Sequence, residues 1–251
     1  MKLVVYTVLT GNYDSLKQPE LIDTRFDYIC FSNDILESNV GIWKIRKIPG
    51  TFPSKQIESR YPKMHPHVLL KDYDYSVYVD ANIQIKNEVF YEHVLKKIES
   101  KTLLAGVKHP FRNCAYDEAY VVFSYGLEKS PITIIREMRF LKHEKFPEKY
   151  GMFEANIILR NHHSEKIIAQ CEEWWNMINK YSKRDQLSYS YTLWKHGIPF
   201  DYLLPENVSA RDFEGVNFYS HPREKNIWGK QLKKIGRKIY RFIIKFALNK
   251  R

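Results

Sequence analysis

Residues Leu3 to Leu9 form a short apolar, β-rich run ended at Thr10-Gly11, the pattern of a strand covered on both faces. Asp27–Ser32, Trp43–Ile48, Tyr75–Asp80, Leu103–Val107 and Ala155–Leu159 repeat that signal. Between them the period changes to that of a helix. Val89, Phe90, His93, Val94, Lys97 and Ile98 form one stripe, and Ile167, Ile168, Cys171, Trp174, Trp175 and Ile178 form another. Leu187, Tyr191 and Trp194 form a third, with Gly197 placed to end it. Pro62 and Pro66 divide residues 54–71 into two short helical pieces. A helix is also expected to open at Tyr116-Asp117-Glu118. Strands alternating with helices imply an α/β fold with a mainly parallel sheet. The pair Trp174-Trp175 reads as core and His162-His163 as surface.

In such sheets ligands bind beyond the carboxyl ends of the strands. Gly11-Asn12-Tyr13-Asp14 follows the first strand, where a glycine permits close backbone approach to a ligand. Asp80 ends the fourth strand and Asn82 follows two residues on, so one short turn offers two hard oxygen ligands suited to Mg²⁺ or Mn²⁺. From spacing alone a plain turn cap at Asp80 is the commoner reading. His109 and Arg112 follow the fifth strand and could hold phosphate or sugar hydroxyls, with Asp117 and Glu118 favoured at the next helix N-terminus. Asp185 reads as a first-turn or cap residue. Glu154 is an acid in apolar surroundings that needs a partner if buried. His65-Pro66-His67 has the spacing of a zinc site, or is a pair of polar loop histidines.

Charge adds location. The chain has 251 residues, 40 basic and 29 acidic, for a net +11. Residues 230–251 hold nine of the basic side chains and no acidic one, leaving 31 basic against 29 acidic elsewhere. A nearly neutral body excludes a nucleic-acid-coating protein. On a helical wheel Leu232, Ile235, Ile239, Phe242, Ile243 and Phe246 share an arc of about 100°, opposite Lys233, Lys234, Arg237, Lys238, Arg241 and Lys245. A cationic amphipathic helix of this kind lies on an anionic membrane surface. A helix docked on the domain or on another subunit is the other reading. Two units follow: a domain over 1–229 and a membrane-associating helix over 230–251. Cys30, Cys114 and Cys171 are widely spaced and odd in number, which points to reduced thiols in a cytoplasmic setting. The N-terminal apolar run lacks a cleavage-site pattern and reads as a strand.

Several stretches occur together and in order: YTVLTGNYD, DYICFSND, YPKMHPHVLLKDYDYSVYVDANIQI, HPFRNCAYDEA, FEANIILRNH, and WW followed by RDQLS. As a set, over about residues 3–195, they resemble a glycosyltransferase-like family that includes plant seed-mucilage proteins and bacterial surface-polysaccharide proteins. That family is in turn similar to nucleotide-sugar transferases of the GT-A fold, especially the glycogenin-like kind. The resemblance implies a Rossmann-type three-layer sandwich and places YVDANI at the metal- and diphosphate-binding Asp-x-Asp motif. Asp80 matches the first acid and Asn82 stands where the second would be. FEANIILRN takes the place of a strand that contacts donor sugar and acceptor, with Glu154 and Asn156 departing from the usual pattern. RDQLS places Asp185 and Gln186 at the sugar end of the site, and His221 matches a late histidine of the metal shell.

The expected activity is metal-assisted transfer of a sugar from a nucleotide-diphosphate donor to a surface glycan, lipid-linked, at the inner face of the cell membrane. Asp185, then Glu154, is the expected carboxylate for the acceptor hydroxyl. Arg60 and Lys63 would add positive charge at the diphosphate. Tyr6, Thr7 and Asp14 surround the first strand's exit and are assigned to the nucleoside end. His109, Arg112, Glu118 and Asn156 are assigned to sugar or acceptor, and Asp80, Asn82 and His221 to Mn²⁺ or Mg²⁺. The rivals are a metal-dependent lipid or amide hydrolase using His65, His67 and Asp80, and a binding module of the same fold without catalysis.

Overall fold

A computed structural model of the chain describes residues 1–11, 14–125, 127–128 and 130–220. His221 and the amphipathic segment 230–251 lie outside the described residues. The strands are β1 (Leu3–Val8), β2 (Phe26–Phe31), β3 (Asn39–Val40), β4 (Trp43–Arg46), β5 (Tyr75–Val79), β6 (Ile83–Ile85), β7 (Leu104–Lys108), β8 (Phe153–Arg160) and β9 (Val216–Phe218). The helices are α1 (Lys55–Met64), α2 (Pro66–Leu69), α3 (Glu88–Glu99), α4 (Ala115–Ser124), α5 (Pro131–His143), α6 (Glu165–Lys180) and α7 (Asp185–Lys195).

The main sheet runs β3-β4-β2-β1-β5-β8-β7. Its centre is parallel: β1 pairs with β2 and β5, and β2 with β4. β8 is inserted antiparallel between β5 and β7. β6 and β9 form a separate antiparallel pair. Every residue of β1 and β5 is buried, because helices cover both faces. One face packs Leu3, Val5, Tyr28 and Val77 on Phe90, Val94 and Ile98 of α3. The other packs Val4, Tyr6, Ile29 and Tyr78 beneath Ile57 and Met64 of α1 and Ile167, Cys171 and Trp174 of α6. Each such apolar side chain contributes about 1.5–3 kcal/mol. This is the expected three-layer arrangement.

Some local expectations change. The two short helical pieces expected over residues 54–71 are α1 and α2, but Pro62 does not end α1; it sits in the last turn, where the helix stops within three residues and the lost hydrogen bond matters least. The break falls at His65, and Pro66 begins α2 at a position that needs no N–H donor. Glu154 lies inside β8, which begins at Phe153. His162 is fully buried: Nδ1 meets Ser76 Oγ at 3.1 Å and Nε2 meets the Leu70 carbonyl at 3.0 Å. All three cysteines are free and buried. No helix among the described residues is long and apolar enough to cross a membrane.

Candidate active site

Two carboxylates and two cations meet past the carboxyl end of β5. Ser54 caps α1 by accepting the Ile57 N–H at 3.3 Å. Arg60 and Lys63, three residues apart on α1, share a face. The Trp174 indole donates to the Asp185 carbonyl at 2.9 Å and so fixes the first turn of α7 against α6. Lys63 Nζ then lies 2.5 Å from Asp185 Oδ2, and Arg60 Nε 3.5 Å from the same oxygen. The side chains of Lys63 and Asp185 are only 2% and 7% exposed. Lys63 Nζ also sits 4.9 Å from the Tyr78 ring centroid, and the Tyr78 hydroxyl donates to Asp80 Oδ1 at 2.5 Å. Burial pushes the Asp185 carboxyl up, but Arg60 and Lys63 outweigh it and hold Asp185 well below the usual carboxylate range. Asp80 acts on the same two cations, so these four groups form one electrostatic cluster.

β8 and the chain before β9 build a second wall. Glu154 is ion-paired with Arg211 and accepts from Asn156 Nδ2 at 3.2 Å and the Ala210 N–H at 3.4 Å. Ser209 Oγ accepts the Arg211 N–H at 3.1 Å and donates to Asp212 at 2.7 Å, a turn that holds Arg211 in place. The Asn156 carbonyl accepts the Asp80 N–H at 2.8 Å, which ties this wall to the first cluster. His109, Arg112 and Glu118 lie together. Arg112 is ion-paired with Glu118, and Arg112 Nη2 lies 2.9 Å from His109 Nε2. Burial, helped by Arg112 and Arg211, pulls the His109 ring down to about 4, so it is neutral near pH 7.

Three buried oxygens here have no hydrogen-bond partner among the described residues: Thr7 Oγ1, Asn82 Oδ1 and Asn156 Oδ1. Buried polar groups are nearly always paired, so each is an acceptor open to a ligand. Asn82 Nδ2 donates to the Tyr219 carbonyl at 2.7 Å, which leaves Oδ1 available. Asp80 and Asn82 thus offer the hard oxygen donors that Mg²⁺ or Mn²⁺ takes. Among the described residues no three His, Cys, Asp or Glu side chains form a metal cage, so an ion there would draw its remaining ligands from substrate phosphate and water.

Other assignments change. Tyr6 is fully buried beneath α1, because the two-residue strand period turns it to the covered face, so it does not reach the strand's exit. Thr7, turned the other way, lines a small cleft with Lys17, Trp43, Val79 and Ala81. Gly11 adopts φ 71°, a left-handed conformation that favours glycine, and its N–H reaches Asp34 at 2.6 Å. Asp14 is half-buried past β1, and Gln186 half-buried beside Asp185. The zinc set is not assembled. His65 stacks on Tyr61 at 4.1 Å and bonds its carbonyl, His67 meets Glu172 at 2.9 Å, and Asp80 is turned to Tyr78. Arg211 and Arg184 are the side chains that sequence reasoning passed over. Arg184 acts electrostatically on both Asp185 and Glu118, from a position that read only as a helix start.

Sheet order and site position define a GT-A-like fold, and solved structures resemble it. The apo structure of the bifunctional glycosyltransferase WbbM superposes with a TM-score of 0.51 at 14% identity, over 89% of this chain and 46% of that one. An active-site mutant of LgtC superposes with a TM-score of 0.50 at 11% identity, over 92% and 94% of the two chains. The chain belongs to the TOD1/MUCI70, glycosyltransferase-like domain family, whose pattern it matches over residues 1–214. A curated relative, alkaline ceramidase TOD1 of Arabidopsis thaliana, is 23% identical over 220 residues, covering 75% of this chain and 47% of that protein. The chain therefore spans about half the length of that relative.

Proposed function

We propose that this protein transfers a sugar from a nucleoside-diphosphate donor to a hydroxyl of a glycan or lipid-linked acceptor. The observation that carries this reading is the pair of buried Lys63 and half-buried Arg60, held by Asp185 beside Asp80. Transfer breaks the bond from the anomeric carbon to the diphosphate, and negative charge grows on the leaving oxygen. Cations already fixed around that position stabilise the growing charge with little reorganisation. Asp80 and Asn82 would hold a divalent cation, which when bound supplies further positive charge to the diphosphate. Asp185 positions Lys63 and Arg60 in this reading: a carboxylate held low by two cations is a poor proton acceptor. Glu154 takes the proton of the attacking hydroxyl, since its partner Arg211 is 49% exposed and can exchange to solvent or ligand. Residues 230–251 would bring the enzyme to an anionic membrane on its cytoplasmic side, a reading supported by their acid-free polar face. Co-sedimentation with anionic liposomes should be lost when they are deleted; equal binding by the shortened chain would reject the membrane role.

The test is a thermal-shift screen of nucleotide sugars with and without Mn²⁺. A ligand that binds only the native state raises the melting temperature. The expected result is a rise of several degrees for one donor, removed by Asp80→Ala without loss of fold. No shift and no turnover with any nucleotide sugar would reject the reading. The name of the plant relative favours a second one, hydrolysis of a lipid amide. Release of a sphingoid base from ceramide, with no nucleotide present, would establish it.

A further inference from the structure

Arg160 is a buried cation that the chemistry above leaves unused. It ends β8, opposite Ser76 of β5 and Leu104 of β7, and it is fully buried. Its guanidinium reaches beneath the end of α1. Nη2 donates to Tyr6 Oη at 2.7 Å and Nη1 to Cys171 Sγ at 3.5 Å. The Tyr6 hydroxyl in turn lies 3.5 Å from the Lys63 carbonyl. Arg160 has no carboxylate within ion-pair distance among the described residues, and its Nε has no partner.

Its neighbours do not neutralise it. Burial pushes the Tyr6 and Tyr189 phenols well up and raises the Cys171 thiol, so all three stay uncharged near neutral pH. A guanidinium keeps its proton under these conditions. On this face of the sheet Lys63 and Arg60 answer the carboxylates Asp185 and Asp80, whereas the groups acting on Arg160 are Tyr6, Cys171 and Tyr189, none of them a carboxylate. Burying an uncompensated charge is costly, and an aliphatic side chain would fill the same place at lower cost.

We propose that Arg160 is a positioning residue whose unpaired charge, sited below Lys63, strengthens binding of the donor's diphosphate at the Arg60–Lys63 pair. The proposal rests on the diphosphate reading of that pair. Its counter-ion is the ligand: the excess positive charge in the apo protein is matched when the anion arrives. The stability lost by burying the cation is recovered as affinity. This differs from a purely structural role in which Arg160 staples α1 through Tyr6.

Calorimetry with inorganic pyrophosphate and with a nucleoside diphosphate as probes separates the two. Arg160→Met should weaken pyrophosphate binding on the order of tenfold, the scale of losing a unit charge at moderate distance in a partly polar interior. It should also leave the apo melting temperature unchanged or raised. Arg160→Lys, which keeps the charge, should bind within about threefold of wild type, and Tyr6→Phe, which removes the link and keeps the charge, within about twofold. If Arg160→Met does not fold, Arg160→Gln replaces it with the same expectation. Unchanged pyrophosphate affinity in the neutral variant, or equal loss in Tyr6→Phe, would overturn the proposal. A wild-type protein that binds neither probe would instead reject the diphosphate reading itself.

Discussion

The two walls of the site hold cations against carboxylates in different ways. On the α1–α7 wall, Lys63 and Asp185 are almost wholly withdrawn from water. On the β8 wall, Arg112 and Arg211 keep 24% and 49% of their side chains exposed while their partners Glu118 and Glu154 are buried. The same pairing of charges therefore does two jobs. A pair buried on both sides is stiff, because breaking it strands a charge in a poor solvent. A pair with one solvated member can change partners at little cost. The stiff wall suits an invariant leaving group such as a diphosphate. In the proposed reaction the exchangeable wall suits the acceptor side, where a hydroxyl would enter, lose a proton and leave as product.

The strongest way to break this contrast is to truncate one cation on each wall. Lys63→Ala should cost about 3–5 kcal/mol in urea unfolding, because Asp185 is left buried with only the more distant Arg60. Arg211→Ala should cost about 1 kcal/mol, since Asn156 and the Ala210 N–H remain on Glu154 and water can replace the guanidinium. Equal losses would show that the two walls do not differ in stiffness. Next in size is a split in kinetics. Glu154→Gln should lower kcat by about 10²–10³-fold and leave the donor KM within about threefold. Asp185→Asn should chiefly raise the donor KM, because it loosens Lys63 and Arg60. The reverse pattern would return the proton-accepting role to Asp185.

How far the sequence leads depends on whether a feature is local. LVVYTV is buried on both faces and reads as a central strand, and Asp80 is visible as the polar stop of YSVYV. The stripe of Ile167, Cys171, Trp174 and Ile178 is the buried face of α6. α5 has local signals too: Ser130 caps it, Pro131 begins it, and Ile134, Met138 and Leu141 repeat at helical spacing on its buried side. Other features were not local. β6 and β9 pair Ile83 with Phe218, and three-residue strands carry no period to detect. Arg211 is an ordinary loop residue until β8 brings Glu154 to it, 57 positions away. The burial of Tyr6 and His162 is non-local for related reasons. Which face of a strand a helix covers, and which carbonyls wait at its end, is decided by tertiary packing.

The smallest expected effect is a response to salt, read through the histidines. Burial pulls His109 and His162 down to about 4 each, from an ordinary value near 6.5. Between those values the unfolded chain binds more protons at these positions than the folded protein does. Their contribution to stability is therefore complete above about pH 6.5 and is lost as the pH falls toward 4. The melting temperature should drop by roughly 10 °C between pH 7 and pH 5. The two rings lie in different surroundings: Arg112 and Arg211 face His109 on the exchangeable wall, whereas His163 and Arg160 face His162 under the stiff one. His109→Gln should remove about half of the drop. If the walls differ as argued, added salt should shrink the His109 share, because partly exposed Arg112 and Arg211 are screened, and should leave the His162 share nearly untouched. A salt response equal at both positions would show that the two interiors are equally accessible to ions.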